Sequence, residues 1–251
     1  MEKPHLIMLP GWGMASCVWM PIREELAKHF QLLFVEWDGV HSIDGFKEKV
    51  LQLITTKQIL SFSLLGWSLG SLVALDIASE YQAQIRDVIL IGGTSRFTNH
   101  KSDDYHAGWP RYIVERMKCQ LQKDKEQTLL TFYDSMFSSI EKKRGDNGRF
   151  LQLINKNFCN SETLSLLTGL DYLIQTDFRE KLKFIKTPLL LIHGEKDQIC
   201  PVTASELIAS KASSDVTLKV LPDVGHLPFF TNPDQCMVYI KQFIKDGSLY
   251  D

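Results

Sequence analysis

Short apolar runs alternate along this chain with longer stretches in which apolar residues recur every three or four positions. The runs predict strands over 5–9, 32–36, 62–65, 88–91, 188–192 and 216–221. The periodic stretches predict helices over 19–30, 43–55, 69–81, 202–211 and 233–245; in the first of these, Ile22, Leu26 and Phe30 share one face. The strand-like runs are short and mostly apolar. That is the pattern of strands buried on both faces, as in a parallel sheet covered by helices.

The alternation stops between residues 97 and 182. That segment is rich in Lys, Glu, Gln, Leu and aromatics and carries no β-branched runs. Its spacing predicts helices over 108–121, 124–140, 146–157 and 161–175. About 80 residues is too long for a plain loop. The expectation is an α/β core of residues 1–96 and 183–251, with a mostly parallel sheet and helices on both faces. It carries an inserted helical lid, residues 97–182, above the strand carboxyl ends, where ligands of such sheets bind.

Candidate chemistry begins at the end of the 62–65 run. Gly66-Trp67-Ser68-Leu69-Gly70 fits G-x-S-x-G between a predicted strand and a predicted helix. A serine at so sharp a turn is held in strained φ/ψ, and the flanking glycines remove side chains that would collide. A hydroxyl needs a base to become nucleophilic. Of seven histidines, His29, His41, His100 and His106 sit in polar surroundings, and His5 and His193 lie on or beside strands as structural residues. His226 lies in Asp223-Val224-Gly225-His226-Leu227-Pro228, a constrained loop just after the 216–221 strand, and is the candidate base. An orienting carboxylate is expected after the 188–192 strand. Asp197 in His193-Gly194-Glu195-Lys196-Asp197 is preferred, with Glu195 and Asp223 as rivals. Two N–H groups should face the developing oxyanion: that of Leu69, and that of Trp12 in Pro10-Gly11-Trp12-Gly13, the loop after the first strand.

Composition narrows the setting. The 251 residues suit one large α/β domain, and a net charge of −2 gives no reason to expect nucleic acid. Five scattered cysteines (Cys17, Cys119, Cys159, Cys200, Cys236) contain no CxxC pair, so neither a disulfide framework nor a metal site is expected. The apolar run near residue 1 is too short for a signal peptide, and no run is long enough for a membrane span. A cytoplasmic monomer without cofactor is the expectation.

These residues resemble the α/β-hydrolase family, whose triad follows the order Ser68…Asp197…His226. Gly11-Trp12-Gly13, the Gly66–Gly70 pentapeptide and Gly225-His226 resemble more closely the pimeloyl-[acyl-carrier protein] methyl ester esterases of biotin synthesis, the BioH type. So does Gly169-Leu170-Asp171-Tyr172-Leu173…Thr176-Asp177-Phe178-Arg179, similar to that family's end-of-lid segment. The resemblance implies cleavage of a methyl ester from an acyl chain carried on acyl carrier protein. It also implies substrate contacts from Phe132, Tyr133, Asp134, Ser135 and Met136, and an acidic carrier held by basic lid residues: here Arg111, Arg116, Lys118, Lys123, Lys125, Lys142, Lys143, Arg144 and Arg149. Residues 101–150 hold ten basic against eight acidic residues in a chain that is net acidic. The chain departs from the family at Pro10, where His is usual, at Ser71, where a third glycine is common, and in the short segment before the first strand. A C–C bond hydrolase and a lyase of the menaquinone pathway type share the same triad and are alternatives; a low-turnover ligand-binding receptor of the same fold is the alternative from another class, and a complete triad argues against it.

Overall fold

A computed structural model describes residues 3–99, 105–156 and 161–246. His100 and Cys159 lie outside the described residues, as does the last position of the helix expected over 146–157.

Six strands form one parallel sheet: β1 (His5–Leu9), β2 (Gln31–Phe34), β3 (Phe62–Trp67), β4 (Ile85–Ile91), β7 (Leu189–Gly194) and β8 (Val216–Leu221), in the order β2-β1-β3-β4-β7-β8. The central strands β3 and β7 are buried at every position, whereas the edge strands β2 and β8 are half-exposed. The unbroken apolar runs therefore mark the middle of the sheet. The helices between strands are α1 (Met20–Ala27), α2 (Gly45–Thr56), α3 (Leu69–Glu80) and α9 (Val202–Lys211), followed by α10 (Pro228–Thr231) and α11 (Pro233–Asp246). α3 packs on β1, β3 and β4, while α1, α10 and α11 pack on one another. Chain order along the sheet reverses between β1 and β3. The loop after β1 and the turn after β3 therefore meet at the carboxyl ends, the place where ligands of such sheets bind.

Between β4 and β7 runs the helical insertion: α4 (Arg111–Lys123), α5 (Lys125–Ser135), α6 (Ser139–Lys143), α7 (Asp146–Lys156) and α8 (Thr163–Gln175). Its two ends are clasped where it leaves and rejoins the core. Arg96 and Asp177 form an antiparallel bridge and an ion pair, and the Phe178 N–H donates to Ser95 O at 2.8 Å.

Several expectations need correction. The segment expected to lack strands contains a two-residue pair, β5 (Thr98–Asn99) with β6 (Trp109–Pro110), because Pro110 delays the helix start to Arg111. The helix expected over 124–140 is two helices, broken at residues 136–138. Ser138 takes extended backbone angles there and caps α6 in a reciprocal capping box with Glu141. The helix expected over 19–30 is a 3-10 turn, Ser16–Trp19, followed by the shorter α1. Cys17 is disulfide-bonded, a linkage not anticipated where no disulfide framework was expected, while Cys119, Cys200 and Cys236 are free thiols.

The fold depends on the fully buried strand β3. Leu65→Ala is expected to cost roughly 2–5 kcal/mol, seen as a lower urea midpoint with an unchanged denaturant slope; a midpoint unmoved from that of the parent protein would contradict this packing.

Candidate active site

β3 ends at Trp67 and α3 begins at Leu69, so Ser68 alone makes the turn. Its backbone sits at φ 55 and ψ −117, a region L-residues seldom occupy. Sterics dictate the flanking glycines: a Cβ on Gly66 would lie 2.5 Å from Gly70 O, and one on Gly70 would lie 2.1 Å from Leu9 O. Ser71 braces the turn. Its hydroxyl donates to Ser68 O at 2.6 Å and accepts the Thr94 N–H at 3.2 Å. Leu69 is the first residue of α3, so its N–H has no acceptor within the helix and stands at the positive end of the helix dipole.

The loops after β7 and β8 bring Asp197 and His226 together. His226 Nδ1–H donates to Asp197 Oδ2 at 2.7 Å, and both side chains are fully buried. With the Nδ1 proton committed to a carboxylate, Nε2 is left as the basic nitrogen; it is buried and unpartnered among the described residues. The other oxygen of Asp197 accepts the N–H groups of Ile199 and Cys200 at 2.8 and 2.9 Å, which fixes the plane of the carboxylate. Burial alone would raise the Asp197 pKa, but the facing His226 and His193 outweigh it and hold the carboxyl well below the usual range. Of the rival carboxylates, Glu195 accepts the Asp223 N–H, and neither bonds to His226.

The loop after β1 supplies the opposite wall. Trp12 is buried, its indole N–H donates to Leu166 O of α8 at 2.8 Å, and Phe132 meets its ring edge-on at 5.0 Å. Pro10, in the place of the usual His, has its carbonyl held by the Trp37 indole N–H at 2.8 Å. The five insertion positions 132–136 divide. Phe132 lies against Trp12, the Tyr133 hydroxyl donates to Gly13 O at 2.9 Å, and Met136 O accepts the His226 N–H at 2.7 Å. Asp134 is turned outward to Lys142 and Asn147, and Ser135 lines an outer groove; the structure does not bring these two to Ser68.

Three residues near this centre were not anticipated from the sequence. His193 approaches Asp197 Oδ2 at 3.3 Å, donates from Nε2 to Cys200 O at 2.6 Å, and its Nδ1 lies 2.7 Å from the Ser205 hydroxyl. Its position four residues before Asp197 was the available signal. The Trp67 indole N–H donates to His226 O at 2.9 Å, with the two rings 5.5 Å apart. Glu141 is buried, and its Oε2 accepts the Gly225 N–H at 2.9 Å.

The outer groove has a volume of about 530 Å³ and runs between α4 and α5. Trp109, Ile113, Met117 and Phe132 line it together with Arg116 and Lys123. Most of the other basic residues named from the sequence are bonded within the protein: Arg111 to Glu115, Lys118 to Asp171, Lys142 to Asp134, Arg144 and Arg149 to Asp146, and Lys125 to Ser161 O. Among the described residues no cluster of three or more His, Cys, Asp or Glu could hold a metal ion, and no helix is long and apolar enough to cross a membrane. A hydroxyl at a strained turn and an imidazole oriented by a carboxylate, both on loops at the carboxyl ends of the sheet, are the groups that nucleophilic acyl transfer requires.

Residues 4–233 match the alpha/beta hydrolase fold family. The chain is 30% identical to a pimeloyl-[acyl-carrier protein] methyl ester esterase of Wigglesworthia glossinidia brevipalpis, over 96% of this chain and 93% of that one. It is 29% identical to a protein of the same name from Nitrosospira multiformis, over 97% and 95%. Among solved structures, an esterase from Exiguobacterium antarcticum superposes with a TM-score of 0.85 at 20% identity, covering 97% of this chain and 92% of that one. The enol-lactonase from Burkholderia xenovorans LB400 superposes with a TM-score of 0.83 at 18% identity, covering 98% and 92%. Matched along nearly its whole length, the chain belongs to the alpha/beta hydrolase fold family.

Proposed function

We propose that this protein is a serine carboxylesterase that cleaves the methyl ester of a pimeloyl chain carried on acyl carrier protein, a step of biotin synthesis. One observation carries the chemistry: the buried 2.7 Å bond from His226 Nδ1–H to Asp197, in a chain whose Ser68 makes a strained strand-to-helix turn. The substrate follows from full-length relatives at about 30% identity that bear that name. Those names do not favour a C–C hydrolase, a lyase or a receptor.

Ser68 Oγ attacks the ester carbonyl as His226 Nε2 takes its proton. The Leu69 and Trp12 N–H groups receive the oxyanion, and Asp197 stabilises the imidazolium. His226 then protonates the departing methanol, leaving an acyl-serine. Water activated by His226 releases the carboxylic acid and regenerates the hydroxyl. The insertion α4–α8 acts as a lid: Ser68 is only 6% exposed and His226 not at all, so the reacting ester is shielded from bulk water. Carrier recognition falls to Arg116 and Lys123, the two basic residues lining the α4–α5 groove.

Ser68→Ala is expected to abolish hydrolysis of short p-nitrophenyl esters and of pimeloyl-[acyl-carrier protein] methyl ester while melting like the parent. Turnover retained in that variant would remove Ser68 from the mechanism. The wild-type gene should restore growth without biotin to a strain lacking its own methyl ester esterase, and Ser68→Ala should not. For the carrier, the double variant Arg116→Glu/Lys123→Glu is expected to raise KM for the carrier-bound ester by about tenfold or more with small esters unaffected. Equal changes on both substrates would rule out carrier recognition by this groove.

A further inference from the structure

The break between α5 and α6 lies against the loop that carries His226, and three hydrogen bonds join the two. The Ser138 hydroxyl donates to Asp223 O at 2.7 Å, the Gly225 N–H donates to Glu141 Oε2 at 2.9 Å, and the His226 N–H donates to Met136 O at 2.7 Å. The insertion thus holds successive peptide groups of the loop from one side. From the core side, the Trp67 indole N–H holds His226 O. Gly225 is glycine because the two segments touch there: a Cβ would lie 2.4 Å from Met136 O and 2.8 Å from Glu141 Oε2.

Glu141 is the unusual member of this contact. It is fully buried, its Oε2 accepts the N–H groups of both Ser138 and Gly225, and its Oε1 has no partner among the described residues. None of the ion pairs among the described residues involves it, and a buried carboxylate without a cation is costly to keep. Capping α6 does not require that cost, since a capping box works equally well with an exposed Glu. What burial adds is the second bond, to the residue that precedes the base.

We infer that Glu141 is a positioning residue for His226: a buried carboxylate of the insertion that fixes the backbone of the catalytic loop and so sets the imidazole against Ser68. The inference rests on His226 acting as the base in the esterase reading. It makes this corner of the lid part of the catalytic framework. Substrate entry then requires movement elsewhere in the insertion, because lifting α5–α6 would break all three bonds that hold the loop of the base.

The test uses the full chain with Glu141→Ala, Glu141→Asp and Glu141→Gln. Alanine removes the acceptor. Aspartate keeps the charge but withdraws it by one methylene, and serves if alanine prevents folding. Glutamine keeps an oxygen that can accept both N–H groups. For variants with parental melting curves, Ala and Asp are expected to lower kcat on a p-nitrophenyl ester by about 10²-fold, with KM changed less than about threefold, and Gln is expected to restore most of kcat. The His226 Nδ1–H proton, assigned in the NMR spectrum by its loss in His226→Gln, should broaden or shift in Ala and Asp and stay near its parental position in Gln. Parental kcat in Ala or Asp overturns the inference. So does a fall in kcat with the imidazole proton unmoved, since that would make Glu141 a stabilising cap only. A wild type inactive on every ester would refute the esterase reading, and the imidazole proton would still decide whether Glu141 positions His226.

Discussion

Everything at this site depends on the tight passage from β3 into α3. The strand is buried along its whole length, the helix packs back on β1, β3 and β4, and a single residue must reverse the chain between them. There is no space for a side chain at Gly66 or Gly70, where Gly70 abuts the carbonyl of Leu9 on the neighbouring strand. The strain at Ser68 is sustained by what surrounds it: a bond to Ile91 O of β4 from its N–H, and one from the Ser71 hydroxyl to its carbonyl. Strain of order 1–3 kcal/mol persists only where the surroundings over-determine it. Here a parallel sheet on one side and a fully buried helix face on the other do so. The same turn puts a helix N-terminus next to the hydroxyl, so one local geometry would supply both the proposed nucleophile and a proposed oxyanion donor.

The second constraint is electrostatic. Asp197 is buried, yet it is held ionised because two imidazoles face one of its oxygens and two backbone N–H groups hold the other. Burial favours the neutral acid, which could not stabilise the cationic His226 that the proposed mechanism forms. His193, itself held by Cys200 O and beside the Ser205 hydroxyl, adds a second favourable partner without competing for His226 Nδ1.

The core of this architecture was legible because buried parallel strands read as unbroken apolar runs, and because a nucleophile elbow needs glycines at fixed spacing. Ser68, Asp197 and His226 follow from loops at the ends of such runs. The insertion was harder to read. Its helices carry a clear period, but at the break over residues 136–138 Met136 O accepts a tertiary bond from the His226 N–H, and a local pattern holds no trace of that partner. Ser138 and Glu141 do form a capping box three residues apart, a local cue hidden within a predicted continuous helix. For the same reason Asp134 and Ser135 could not be told from Phe132 by position. Which face of α5 meets Trp12 is decided by the core beneath it.

Trp67 shows how a residue can belong to a motif without being part of its chemistry. Its ring is buried between Gly11, Trp19, Phe229 and His226, and its single polar atom is used to hold the His226 carbonyl. A smaller residue at this position would leave a void under the imidazole loop, and Phe would fill much of the space but lose the bond. The elbow is therefore tied to the proposed base directly through the neighbouring indole, which fixes the backbone of His226. With Glu141 and Met136 on the far side of the loop, the histidine is held between the core and the insertion, and its placement reports on how both are packed. That explains how a 251-residue chain with a separate helical insertion keeps three side chains from distant loops in register: the sheet places the loops, and the insertion closes on the one carrying the base.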